Sequence, residues 1–179
     1  MSSRLSKTGN RFKTKLRKED GSSFYGQILD IPDTSRVSNF LSARRYLRVN
    51  PNSTIIPGDI ISGGSIKYIV ATHAEGFHLG PIYRHFKLFE VDKILEWKKK
   101  SFVENPVTGI KEMTLSDEFD KVYLSLQPSS DISDSIRIPQ ETFIALSNIR
   151  VERDEIIEGY TVTKLNEVLG IYLLELKEI

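Results

Sequence analysis

The sequence predicts a mainly β protein: a small antiparallel β-barrel with long loops and a projecting hairpin, a second small β module, and a flexible N-terminal arm. Three observations carry this. Short β-branched runs recur at regular spacing, turns bearing glycine or proline separate them, and the first 18 residues hold charge where an apolar pattern would stand. The expected layout is an arm over 1–23, a barrel module over 24–116 with a loop at 72–81 and a hairpin at 94–115, and a second module over 117–179.

Residues 1–23 are polar and basic and end in Glu19-Asp20-Gly21-Ser22-Ser23, a turn-rich linker. Phe24 to Ile31, closed by Pro32, reads as a strand. From Asp33 to Asn50 two patterns compete. Val37, Phe40, Leu41 and Leu47 sit near helical spacing behind a possible cap, whereas Arg44-Arg45-Tyr46-Leu47-Arg48-Val49 alternates as a strand does. Four arginines leave little apolar stripe, and the reading favours a short helix or an excursion from the core. The clearest signal follows. Ile55 to Ile61 and Ile66 to Val70 are joined through Ser62-Gly63-Gly64-Ser65, a tight hairpin whose turn uses the positive φ that glycine supplies. After the loop Thr72–Pro81, Ile82 to Val91 alternates apolar and charged residues, so one face is buried and the other wet. Ile60, Ile66, Tyr68, Val70 and Phe86 are the expected core of this barrel.

Ile94 to Val103 and Ile110 to Leu115 flank Asn105-Pro106 and Gly109, which reads as a long hairpin, with a helix at Val91–Lys100 competing for its first arm. Further strand candidates are Val122–Leu126, Ile136–Pro139, Phe143–Leu146, Ile149–Val151, Ile156–Leu165 and Gly170–Leu176. There is also a faint echo between the halves. Asp59-Ile60-Ile61-x-Gly63 is answered by Asp154 to Gly159, and Gly80-Pro81-Ile82-Tyr83 by Gly170-Ile171-Tyr172.

Composition narrows the function classes. The 179 residues suffice for a core that hides about 70% of the unfolded surface. The absence of cysteine excludes disulfide frameworks, thiolate metal sites and cysteine nucleophiles. No apolar run approaches the roughly 18 residues of a membrane span, and no signal peptide is recognisable; a soluble, intracellular protein is expected. Seven of the 25 basic residues precede the first acid, Glu19; the remaining 18 face 24 acidic residues, so positions 19–179 carry −6. A basic arm on an acidic body either frays, docks on an acidic protein surface, or meets phosphate.

Catalytic and cofactor motifs are missing. His73, Glu75 and His78 share one glycine-bearing loop with His85 on the next strand, too few ligands on too loose a frame for zinc. Asp117, Glu118 and Asp120 lie in a polar connector with nothing to raise a carboxyl pKa, and Asp59 reads as a cap for turn amides. No enzyme, metal or cofactor is expected. For nucleic acid the candidates are the arm and Arg44, Arg45 and Arg48, beside which Tyr46 is the one aromatic residue.

The run Ile56 to Val70, the glycine-bearing loop, and Ile82 to Val91 resemble the small barrel core of tailed-bacteriophage neck proteins, the head-to-tail connector or head-closure (stopper) type. The hairpin around Asn105-Pro106-Val107-Thr108-Gly109 is similar to hairpins of phage structural proteins. The likeness spans about residues 55–115. It implies a ring-forming structural protein between portal or adaptor and tail, without an active site, located in the neck of the virion after assembly in the host cytoplasm. Its implied partners are copies of itself, portal, adaptor and tail proteins, and DNA passing through a channel; no membrane is involved. The interface candidates are Arg4, Lys7, Arg11, Phe12, Lys13, Lys15, Leu16, Arg17 and Lys18 in the arm. To these are added Arg44, Arg45 and Arg48, and His73, Phe77 and His78 of the loop. The second reading is a single-stranded nucleic-acid binder on an OB-type barrel, which requires aromatic residues on one barrel face.

Overall fold

The computed structural model describes residues 14–30, 43, 45–72, 83–116, 118–127 and 142–179. Among these residues every regular element is a strand, as the sequence predicts. Six strands, β1 (Lys15–Lys18), β2 (Ser23–Asp30), β3 (Arg45–Val49), β4 (Ile60–Gly63), β5 (Ile66–Thr72) and β6 (Arg84–Glu90), close into an antiparallel barrel in the order β1-β2-β3-β6-β5-β4. β7 (Lys93–Trp97) leads into the hairpin β8 (Lys100–Glu104) and β9 (Lys111–Leu115). β10 (Asp120–Gln127), β11 (Thr142–Ser147), β12 (Ile156–Ile157), β13 (Tyr160–Val168) and β14 (Ile171–Glu178) complete a second six-stranded sheet with β7, in the order β12-β13-β14-β11-β10-β7. Its two edges approach each other, and the Glu96 amide on β7 donates to Glu158 Oε2 beside β12 (2.9 Å), so this sheet is a nearly closed barrel.

The two barrels are one structure built twice. In each, the first three strands form a meander, the third pairs with the sixth, and the sixth leads back through the fifth to the fourth. The connection from second to third strand spans fourteen residues in both, 31–44 and 128–141. The match extends to single hydrogen bonds. Gly58 N donates to Val70 O at 2.8 Å and Val70 N to Asp59 O at 2.9 Å; Asp154 N donates to Val162 O at 2.8 Å and Val162 N to Glu155 O at 2.9 Å. The two turns share a left-handed residue, Gly58 at φ 89° and Asp154 at φ 66°, of which only the first is the cost-free choice. A buried plug precedes each turn, Ile55 in one barrel and Val151 in the other. The echo in the sequence marks this repeat.

Alternation explains the first core. Leu16, Leu47, Val49, Ile61, Tyr68, Val70, Phe86 and Leu88 point inward around Ile55, with Ile66 packed at the margin. Ile60, expected among them, faces outward instead, into the seam between the barrels. There Ile60, Ile69, Ala71 and Phe89 meet Tyr123, Leu146 and Ile171. Strands β5, β10 and β11 are therefore buried on both faces, which is why Tyr68-Ile69-Val70-Ala71 and Val122-Tyr123-Leu124 run without polar interruption. The turn Leu169-Gly170 locks the seam. Leu169 O accepts from Thr72 N at 2.7 Å, and a Cβ on Gly170 would stand 2.9 Å from Pro57 Cβ.

Several expectations are corrected. Lys15–Lys18 is not part of a free arm: it is β1, which closes the first barrel against β2 and β4. Leu16 lies in the core at 4% exposure, and Lys18 Nζ pairs with Asp59 at 2.8 Å in a largely buried setting. Arg45–Val49 is a strand rather than part of a helix or excursion, because its alternation puts Leu47 and Val49 inside while Arg45 caps the barrel end through Asp30 and Tyr68. β7 belongs to the second barrel, not to a hairpin arm starting at 94 within a 24–116 module, because it pairs with β10. Residues 149–151 form no strand but a turn that delivers Val151 to the core. Asp59 caps a turn amide as expected, accepting from Ile56 N at 2.9 Å. Positions 1–13, Ile136–Pro139 and the loop 73–82 lie outside the described residues.

An ionic clasp sits at the rim of the seam. Glu19 Oε1 accepts from Tyr123 Oη at 2.6 Å and Glu19 Oε2 from Lys67 Nζ at 2.8 Å, with the Lys67 ammonium 5.3 Å from the Tyr123 ring centre. The hydrogen bond from Lys67, then that from Tyr123, lowers the Glu19 carboxyl pKa, whereas burial and the neighbouring carboxylate raise that of the Tyr123 phenol. The signs set a window. Glu19 contributes stability above its ordinary value of 4.5 that is lost as pH falls through its lowered folded value. Tyr123 contributes stability below its ordinary 10.0 that is lost at higher pH. In urea unfolding at several pH values, Glu19→Gln is expected to flatten the acid limb and Tyr123→Phe the alkaline limb. Unchanged limbs in both variants would remove the clasp from the stability account. Leu47→Ala and Leu174→Ala, one in each core, should each cost about 2–5 kcal/mol in the same measurement.

Candidate functional site

The second barrel departs from the first where its opening strands connect. In the first barrel a short turn through Asp20 and Gly21 joins β1 to β2. In the second, the equivalent connection between β7 and β10 is expanded into the hairpin β8–β9. Its tip is well made: Asn105 Oδ1 accepts from Val107 N and Thr108 N at 3.0 and 3.3 Å, Asn105 N donates to Ile110 O, and Gly109 takes φ 68°. Its surface is not that of a free ribbon. Val107 is 90% exposed, and Val103, Ile110 and Met113 are exposed as well. Since Phe102 faces Met113 and Val103 faces Glu112 across the pair, Val103 and Met113 lie on opposite faces. A two-stranded ribbon is marginal in water by itself, and Val103 and Met113 leave exposed apolar groups on both of its faces, the kind of surface that suits a partner.

At the hairpin's root lies a cleft of about 690 Å³, floored by Trp97 and bordered by Lys99, Lys121, Arg150 and Glu155. Trp97 Nε1 and Glu155 Oε2 are buried there without a hydrogen-bond partner, one donor and one acceptor. Arg150 and Arg153 are turned toward Glu152 and Asp154, so the rim is of mixed sign. Among the described residues no group of three or more histidines, aspartates and glutamates is placed to hold a metal ion. No described helix is long and apolar enough to cross a membrane.

A second surface forms on the first barrel, on the outward positions of β1, β2, β3 and β6. Tyr46 pairs with Lys87 and Arg48 with His85 across β3 and β6, while Gln27 and Leu29 extend the rows onto β2. The Arg48 guanidinium lies 4.8 Å from the Tyr83 ring centre, its Nε donates to His85 Nε2 at 3.3 Å, and the Tyr46 and His85 rings are 5.8 Å apart. Tyr25 stands exposed on β2 opposite Lys15.

The interface candidates read from sequence separate accordingly. Lys15 and Arg17 are exposed on β1, Lys18 is committed to Asp59, and Leu16 is core and unavailable to a partner. Arg48 belongs to the aromatic face, whereas Arg45 bonds to Asp30 and Tyr68 at the barrel end, where two hydrogen bonds raise its pKa further. Arg4, Lys7, Arg11, Phe12, Lys13, Arg44, His73, Phe77 and His78 lie outside the described residues. The reading that Tyr46 stands alone beside these arginines is corrected: His85 lies 5.8 Å from its ring, and Tyr83 lies against Arg48. The exposed apolar tip of the hairpin is not among the interface candidates read from sequence. Its signal was Val107 within the turn and Ile110 just after it, where a solvated hairpin carries polar residues. In comparisons with known proteins, no family model, no curated protein and no solved structure matches this chain.

Proposed function

We propose that the chain is a structural assembly protein, a ring-forming subunit of a tailed-bacteriophage neck that joins the head to the tail. The observation that carries this is the hairpin β8–β9, a ribbon with exposed apolar side chains on both faces and at its tip, inserted into only one of two equivalent barrels. A repeat is its own control: what is added to one copy is not needed to fold it. The resemblance of residues 55–115 to neck-protein barrels supplies the kind of assembly.

In this reading the double barrel is a rigid block and the hairpin reaches a neighbouring copy. Its apolar tip then gains burial that the monomer does not provide, at about 25 cal/mol per Å². A head-to-tail contact of this kind closes into a ring when the rotation between copies divides the circle.

Mass photometry of the pure protein tests the proposal. Wild type is expected to form rings of one size, alone or on purified portal rings. The double variant Val107→Asp/Ile110→Asp should remain monomeric with a melting temperature within about 2 °C of wild type, as exposed sites seldom matter to stability. A wild-type protein that stays monomeric at every concentration, with and without portal rings, would overturn the reading.

A further inference from the structure

We infer that the outward face of β2, β3 and β6 on the first barrel binds single-stranded nucleic acid, its tyrosine rings stacking on bases and its cations meeting phosphates. The juxtaposition is tertiary. Alternation in β3 sends Leu47 and Val49 into the core and therefore Tyr46 and Arg48 out; the same parity in β6 buries Phe86 and Leu88 and turns His85 and Lys87 out, with Tyr83 just before the strand. Antiparallel register then sets aromatic and cationic side chains next to each other across strands some 4.8 Å apart.

Charge selects the partner. Residues 19–179 carry −6, yet the outward positions of β1, β2 and β3 hold Lys15, Arg17 and Arg48 and no aspartate or glutamate. A cationic patch on an acidic body concentrates polyanions at that patch and repels them elsewhere. Chemistry refines the choice. An acidic protein surface is satisfied by cations alone, whereas here exposed Tyr25 stands opposite Lys15 and Tyr46 lies two residues from Arg48 on the same face, adding rings on which bases can stack. The Arg48 guanidinium lies over the Tyr83 ring, and its Nε donates to His85 Nε2. Duplex DNA has its bases stacked inside and gains nothing from exposed rings, so the face favours unpaired strands. The six-stranded barrel differs from the five-stranded OB architecture, and the inference rests on the surface and not on the fold.

The test is fluorescence anisotropy of the full chain with labelled oligothymidylate of about 20 nucleotides, a length that covers one barrel with room to spare. Binding is expected, weakening at least about tenfold between about 50 and about 200 mM KCl. Tyr25→Ala and Tyr46→Ala should each weaken it about fivefold or more. Arg48→Gln should weaken it and reduce the salt slope by about one. Lys99→Gln, a cation of the other barrel, should leave it unchanged. Tyr25 is exposed, so Tyr25→Ala is a folded variant, and its retention of full affinity would overturn the inference. Absent binding, duplex binding as tight as single-strand binding, or an equal loss in Lys99→Gln would each overturn it as well. None of these readouts depends on ring formation, so failure here leaves the assembly proposal standing, and the reverse.

Discussion

Everything in this protein depends on the apolar seam between its two barrels. A six-stranded barrel of this size has a small interior and an outer surface that is ordinarily wet. Here β5 spends both faces on burial, its inner one in its own core and its outer one against β10, β11 and the start of β14. Were the barrels apart, Ile60, Ile69, Phe89, Tyr123, Leu146 and Ile171 would form two apolar patches in water. Their union therefore does double service: it stabilises each barrel and fixes the angle between them. The edges of the seam are closed by polar contacts that need both halves, Thr72 N to Leu169 O and the Glu19–Tyr123 bond.

A rigid double barrel gives meaning to what departs from the repeat. The two halves agree in strand order, in the turn before the fourth strand and in the plug residue behind it. They differ in the hairpin, which only the second carries, and in the connection from fifth to sixth strand, eleven residues over 73–83 against two at Leu169-Gly170. The tight version is required where it stands, since Gly170 touches Pro57 of the other barrel and a longer loop would part the seam. The proposed functions follow the same division: repeated parts make the frame, and the unrepeated hairpin and an outward face are the surfaces proposed to meet partners.

Much of the frame was legible in the residues. The Gly64 turn, the alternation of Arg84 to Glu90 and the run of short strands were read correctly, since each signal is local. The errors share a physical origin in long-range pairing. Lys15 to Lys18 looks like an arm because three of its four residues are basic, and only closure against β2 and β4 makes it a strand around Leu16. Arg45-Tyr46-Leu47-Arg48-Val49 looked too charged for a core strand, yet Arg45 is answered by Asp30 and Tyr68 from other strands. The grouping of Tyr46 with His85 and of Arg48 with Tyr83 was invisible for the same reason, since these residues come from segments distant in sequence and meet only through register. The repeat was half visible. Ile-Ile-x-Gly survives in both copies, while Gly58 has become Asp154 at a position whose φ stays positive.

Differential scanning calorimetry is the most direct test of the claim that the two barrels are one body joined by the seam. The account predicts a single transition in which calorimetric and van't Hoff enthalpies agree, and it predicts that Ile69→Asp, which places a charge in the seam, lowers or divides that transition. Two independent transitions in the wild-type protein, both indifferent to Ile69→Asp, would contradict it.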